Sequence, residues 1–296
     1  MKPAPFEYIA PESIEQAVAA LVQYGDEAKI LAGGQSLMPL LNMRLITPGV
    51  VMDINGLDEL SYIRQEGEHL HIGALTRQYR LERDARIRQT VPVLAAATRL
   101  IGHPPIRYAG TIGGSLAHAD PAAELPAVMC AMEAELIVTG PSGGRRTQAD
   151  DFFQGALDAD IRPDELLTEV RIPIRKNVVW GMREYTRRAG DFALAGAIVL
   201  AEMEADRWAN GRVVLFGVED RPLRVAQAEA VLTQRALSDG QADAVAAAAV
   251  AGLDCHADLH ASAGYRKQLA RVMVKRACLD ALAMWDGKRE NAAGSV

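Results

Sequence analysis

The residues best suited to chemistry in this chain are two short glycine-rich loops, Ala32-Gly33-Gly34-Gln35-Ser36 and Gly110-Thr111-Ile112-Gly113-Gly114-Ser115. Phosphate oxygens need several donors at hydrogen-bond distance. A backbone without Cβ atoms curls tightly enough to aim successive N–H groups at them. The hydroxyls of Ser36 and Thr111 add donors without bulk. The first loop lies between an apolar run, Ala28 to Leu31, that reads as a strand and a segment, Leu37 to Leu45, that reads as a helix. A helix N-terminus then faces the anion. The combination suits a diphosphate. Neither loop matches GxGxxG and no GxxxxGK[ST] occurs, so the Rossmann and P-loop fingerprints are both missing.

Directly after the second loop comes LAHADPAAELP, with Asp120 and Glu124 four residues apart. Two readings stand for this pair. One is hydrogen bonding to sugar hydroxyls or adenine beside the diphosphate; the other is helix capping, with Asp120 at the N-cap and Pro121 at the first helical position. His103 and His118 flank the same loop, but no triad partner or GxSxG elbow accompanies them, and they read as packed histidines. His69 and His71 share one face of a hairpin strand without a nameable third metal ligand. The stretch Tyr185 to Ala195 places two arginines and an Ala-Gly-Asp-Phe turn between strands. Phe192 there is either core or a ring laid against a flat ligand.

The elements that must position these groups follow from periodicity. Phe6 to Ile9 reads as a strand, Ser13 to Tyr24 as a helix ended by Gly25, and Val50 to Ile54 as a strand, giving a small α/β lobe to about residue 55. Leu60 to Ile72 alternates around Glu66-Gly67 like a hairpin. Thr76 to Leu100 turns helical, and strands at Glu135 to Thr139 and Leu166 to Ile172 close a second lobe. The polar run after Pro173 marks a boundary. Beyond it, Val178 to Tyr185, Ala195 to Met203 and Arg212 to Val218 read as three antiparallel strands, the last two joined by a turn at Ala209-Asn210-Gly211. Leu223 to Leu232, Ala242 to Leu253 and Tyr265 to Trp285 read as helices. The fold class is α+β, with domains at 1–175 (lobes about 1–55 and 56–175) and 176–288 and a flexible tail at 289–296.

With 296 residues the chain buries a substantial core. The net charge of −6 argues against nucleic acid, whose binding needs a clustered basic surface. Cys130, Cys255 and Cys278 are too few and too widely spaced for a disulfide framework, zinc or an iron–sulfur cluster. The N-terminus lacks an apolar signal region and no stretch reaches the ~18 apolar residues of a membrane span. The expectation is a cytoplasmic protein, or one bound to a membrane only through partners.

Taken together, the sequence resembles the FAD-binding medium subunits of the molybdenum hydroxylases, the carbon monoxide dehydrogenase and xanthine dehydrogenase group. The resemblance rests on KILAGGQSLMPLLNMRL, IGHPPIRYAGTIGGSLAHADPAAELP, RRAGDFALAGAIV and SAGYRKQLARVMVKRA, and covers nearly the whole chain. It implies a two-lobed FAD-binding domain of the vanillyl-alcohol oxidase type, followed by a small domain of three-stranded antiparallel sheet plus helices. It implies that Ile30, Leu31, Ala32, Gly33, Gly34, Gln35, Ser36 and Leu37 wrap the FAD pyrophosphate from one side, and Gly110, Thr111, Gly113, Gly114 and Ser115 from the other. By the same resemblance Ile101 lies along the cofactor, Asp120 and Glu124 hold its sugar and pyrophosphate region, and Leu167 packs by the adenine. Arg183, Asp191 and Phe192 approach the flavin from the C-terminal domain. Ser115 stands where asparagine is frequent, Glu124 where aspartate is usual, and Arg183 where some relatives have lysine.

The resemblance further implies an iron–sulfur small subunit carrying [2Fe-2S] clusters and a molybdopterin large subunit, assembled as a dimer of heterotrimers. This chain would then pass electrons to an external acceptor, with no acid, base or nucleophile of its own. Two rival readings are a self-sufficient FAD oxidoreductase of the same superfamily and a flavin-free scaffold subunit. No part of the chain is left over as a substrate domain for the first, and two diphosphate loops are superfluous in the second.

Overall fold

The computed structural model describes residues 2–204, 207–234 and 238–293. The first lobe is a parallel sheet of β1 (Glu7–Ile9), β2 (Ala28–Leu31) and β3 (Val50–Asp53) in the order β1-β3-β2, connected through α1 (Ile14–Tyr24) and α2 (Leu37–Asn42). Helix α1 starts where Ser13 Oγ accepts from the Gln16 N–H at 3.2 Å, and it ends at Gly25, whose φ is +51°. Its buried stripe is Ala17, Val18 and Leu21. Helix α2 stops at Asn42, three residues short of the expected end, and Arg44 takes a left-handed φ of +56°.

In the second lobe β4 (Ile63–Glu66) and β5 (His69–Gly73) form the expected hairpin, turned at Gly67 with φ +57°. Six helices follow: α3 (Gln78–Arg83), α4 (Ala85–Thr90), α5 (Pro92–Leu100), α6 (Pro104–Ala109), α7 (Ile112–His118) and α8 (Glu124–Met132). The helical stretch from 76 to 100 is therefore three short helices. Asp84 caps the second of them through the Arg86 N–H, and Pro92 opens the third. Next come β6 (Glu135–Gly140), β7 (Gly143–Gln148), α9 (Ala149–Phe152), the short pair β8 (Phe153–Gly155) and β9 (Asp158–Ala159), and β10 (Leu166–Pro173). The larger sheet is antiparallel in the order β4-β5-β10-β6-β7.

The C-terminal sheet has β11 (Val178–Tyr185), β12 (Ala195–Glu204), β13 (Arg207–Phe216) and β14 (Leu223–Arg224) in sequence order, four strands where three were expected. The run read as one helix from Leu223 gives its first two residues to this edge strand before α10 (Ala226–Gln234) begins. The expected turn at Ala209-Asn210-Gly211 is mid-strand instead. Asn210, with φ +46°, lies beside a register shift between Leu200 and Glu202. Helices α11 (Asp239–Val250) and α12 (Ala263–Ala293) complete the fold, so 289–293 of the expected tail are helical, while 294–296 lie outside the described residues.

The alternation along β12 and β13 divides the core. Ile198, Leu200, Val214 and Phe216 pack with Leu125, Val128 and Met132 of α8, whereas Ala197, Val199, Val213 and Leu215 pack on α10 to α12. Every residue of α8 is buried. At its far end Glu133, with φ +53°, accepts hydrogen bonds from Arg175 and Arg212 and pairs with Arg224 at 3.5 Å.

Candidate functional site

The two glycine loops meet at the boundary between the lobes. A Cβ on Gly33 would stand 2.6 Å from the Ala109 carbonyl oxygen and 2.7 Å from Gly110 Cα, so only glycine permits this approach. Gly34 turns the first loop with φ +68°. Ile30 and Leu31 end β2, and Leu37 opens α2.

The loops differ in their backbone donors. Among the described residues, none of the N–H groups of Gly33, Gly34, Gln35, Ser36 and Leu37 finds a partner within the chain. They form a row of unsatisfied donors at the lobe boundary, and Ser36 leaves its hydroxyl free of any capping bond. In the second loop the donors, apart from the Thr111 N–H, are consumed. Gly110 donates to Ile106 O (2.7 Å), Ile112 to Thr76 O (3.0 Å), Gly113 to Ala74 O (2.8 Å) and Ser115 to Thr111 O (3.2 Å). Gly114 donates to Thr111 Oγ1 at 3.0 Å. The glycines here serve close packing: a Cβ on Gly113 would meet Ala74 Cβ at 2.6 Å, and one on Gly110 would meet Gln78 Oε1 at 2.7 Å. The first loop leaves its amides free, whereas the second offers a closely approachable surface with the Thr111 N–H and the Ser115 hydroxyl.

Sequence reasoning missed the groups behind the loops. Arg77 donates to the Ala109 carbonyl and, at 2.6 Å, to Asn55 Oδ1. Asn55 Nδ2 in turn donates to the Ala32 carbonyl at 2.8 Å and to Asp53 Oδ1 at 2.6 Å. Asp53 Oδ2 accepts from Tyr8 Oη at 2.8 Å. Burial raises the Asp53 pKa, but hydrogen bonds from Asn55 and Tyr8 and the Arg77 charge outweigh it and hold the carboxyl below its ordinary range. Gln78 is buried beside Gly110 with Oε1 unpartnered. The Asp-Ile-Asn triplet where β3 ends was a readable signal, because ligands gather beyond the carboxyl ends of parallel strands. Nothing local marks Arg77.

The acidic residues sit at the start of α8. Asp120 is not the helix cap: its Oδ1 accepts from the Ala122 N–H at 2.8 Å in a local turn, and Ala123 holds the N-cap position. Glu124 is buried, and burial, followed by the charge of Glu184 on β11, pushes its pKa up to about 8. Glu184 is pushed up to about 7 by burial and leaves Oε2 unpartnered. Leu167 is buried on β10, where Thr168 at the adjoining bulge accepts at its carbonyl from the Ala74 N–H.

The C-terminal domain reaches this region through its turn. Gly190 (φ +85°) leans on the His103 ring, where a Cβ would stand 2.9 Å away, and Asp191 donates its N–H to Arg188 O. Phe192 is 64% exposed and so is not core. Ile101 is half-buried, and its carbonyl accepts from Arg107 at 2.8 Å. Arg183 is paired within the C-terminal domain. Its guanidinium holds both oxygens of Asp280 on α12 (2.6 and 2.7 Å), on the strand face opposite Glu184.

Free amides, approachable glycine surface, hydroxyls and protonatable carboxyls on two lobes fit a dinucleotide carrying a diphosphate and sugars, and they define a cofactor-binding fold of the FAD class. Comparison with known proteins agrees. Residues 4–175 match the family described as "FAD binding domain in molybdopterin dehydrogenase", and residues 180–281 match the "CO dehydrogenase flavoprotein C-terminal domain". The chain is 40% identical to the 6-hydroxypseudooxynicotine dehydrogenase complex subunit alpha of Paenarthrobacter nicotinovorans, covering 95% of this chain and 96% of that one. It is 38% identical to caffeine dehydrogenase subunit beta of a Pseudomonas species (strain CBB1), over 94% and 95% of the two chains. The solved carbon monoxide dehydrogenase from Hydrogenophaga pseudoflava superimposes with a TM-score of 0.93 at 38% identity, covering 96% of this chain and 99% of the other. The chain belongs to the FAD-binding medium subunits of the molybdenum hydroxylases, of the carbon monoxide dehydrogenase type, and is an oxidoreductase subunit. Among the described residues no helix is long and apolar enough to cross a membrane.

Proposed function

We propose that this chain is the electron exit of a heterotrimeric molybdenum hydroxylase, a cytoplasmic complex in which it would hold FAD between a [2Fe-2S] subunit that supplies electrons and an external acceptor. The observation that carries the reading is the row of unpartnered amides from Gly33 to Leu37 set against Gly110. FAD supplies the conversion between one-electron and two-electron transfer. The chain's own residues bind and orient. The first loop holds the diphosphate, and Thr111 and Ser115 close it from the second lobe. Glu124, buried and protonatable, helps hold the sugar and pyrophosphate region together with Asp120, Leu167 borders the adenine, and Ile101 lies along the cofactor.

Phe192, exposed on a turn braced by His103, fits a ring that covers the flavin where the acceptor arrives. Phe192→Ala then slows acceptor turnover severalfold, and unchanged turnover and flavin affinity together refute that role. The three cysteines are isolated and buried, so cluster ligands belong to the small subunit and the molybdopterin to the large one. A dimer of such heterotrimers is the expected assembly.

The test is the absorption spectrum of the natively purified complex, read with its subunits on a denaturing gel. Flavin and iron–sulfur bands with two further chains support the electron-exit role. Flavin without partners favours a self-sufficient oxidoreductase, and a colourless complex leaves only a scaffold.

A further inference from the structure

We infer that Arg77 and Asn55 form one clamp that aims the first glycine loop at the cofactor diphosphate and fixes its distance from the second loop. In a trans peptide the C=O and N–H point in opposite directions. Asn55 Nδ2 draws the Ala32 carbonyl toward itself at 2.8 Å, which turns the Gly33 N–H the other way, into the row of free donors. Asn55 cannot rotate away, because Asp53 Oδ1 accepts from both its side-chain amide (2.6 Å) and its backbone N–H (2.9 Å), and Arg77 holds its oxygen. The other arm of Arg77 holds the carbonyl of Ala109, the atom on which Gly33 rests.

Arg77 is itself mounted rigidly on the second lobe. The Ile112 N–H donates to Thr76 O at 3.0 Å and the Gln78 N–H to Gly110 O at 2.8 Å, so the backbone on either side of Arg77 is stitched to the second glycine loop. From that base the guanidinium crosses to the first lobe. Both hydrogen bonds go to neutral acceptors, a carbonyl and an amide. The planar fork suits two acceptors on different elements in a way an ammonium does not. Arg77 is therefore a positioning residue, acting through the loop carbonyls rather than by touching the cofactor.

The inference rests on the FAD reading above, and the test separates the two. The full chain, stripped of flavin, is titrated with FAD by fluorescence quenching for the wild type, Arg77→Met, Asn55→Ala and the double variant. Each single variant is expected to weaken FAD by about tenfold or more. The double variant should be no more than about twofold worse than the weaker single one, because both open the same clamp. The FAD-induced rise in melting midpoint should shrink in parallel. Should Arg77→Met fail to fold, Asn55→Ala carries the test alone. FAD affinity within about threefold of wild type in the folded variants, losses that multiply, or equal drops in melting with and without FAD each overturn the clamp. A wild-type chain that binds no FAD overturns the proposed function instead.

Discussion

In the first glycine loop the amides from Gly33 to Leu37 have no partner among the described residues, whereas in the second those of Gly110, Ile112, Gly113, Gly114 and Ser115 are all bonded internally. Both segments carry a Gly-Gly pair beside a hydroxyl. The difference is that glycine has two uses: it lets a backbone curl around an anion, and it lets two surfaces approach without a Cβ. The first loop uses its freedom to leave donors exposed. The second uses it to pack against Ala74 and Gln78, which fixes a smooth wall opposite the donors.

Breaking the contact between the loops should have the largest effect. Gly33→Ala forces a Cβ to 2.6 Å from a backbone oxygen that cannot yield easily, so the loops part and FAD affinity falls by about 100-fold or more, near 3 kcal/mol. Equilibrium titration of the flavin-free chain checks this. Gly113→Ala should act on stability first, because its Cβ collides with Ala74 inside the second lobe; a loss of about 1–3 kcal/mol is expected in urea unfolding. Equal effects of the two variants on affinity and on stability would erase the proposed division of labour.

The acid end of α8 sharpens the same contrast between satisfied and unsatisfied groups. Glu133 at one end is held by arginines, while Glu124 at the other is buried and feels the Glu184 charge. Because the Glu124 pKa is raised to about 8 in the fold, the folded chain keeps a proton that the unfolded chain releases above about pH 4.5. Stability is therefore greatest at low pH on this account, declines as pH rises toward 8 and levels off beyond it. The slope from this group has a ceiling of about 1.4 kcal/mol per pH unit. Glu124→Gln should flatten the decline in melting midpoint between pH 5 and pH 8, judged against the wild type. The smallest effect is expected at Arg183. Its pair with Asp280 is half-exposed, so Arg183→Met should cost less than about 1 kcal/mol and leave FAD titrations within about twofold.

Much of the fold was legible because it follows from local order. Ser13, Gly25, Gly67 and Pro92 act within a few residues of themselves, and the apolar periods of α1, β5 and β10 needed no distant partner. The errors fall where tertiary pairing overrode local preference. Asn210 and Gly211 look like a turn, yet the pairing of β13 with β12 carries the strand through them. Leu223 and Arg224 look helical, yet an open edge of β13 captured them. Asp120-Pro121 looks like a helix start, yet the helix begins three residues after that proline.

The sequence by itself determined the two glycine loops, the lobes around them and the family to which the chain belongs, because those depend on residue type and short-range spacing. Only the tertiary structure decided which loop keeps its amides free, that Arg77 and Asn55, 22 positions apart, bond to each other behind the loops, and that Glu124 is buried within reach of the Glu184 charge. Those are properties of hydrogen-bond partners and burial. They arise only when segments distant in the chain compete for the same donors and exclude water from the same space.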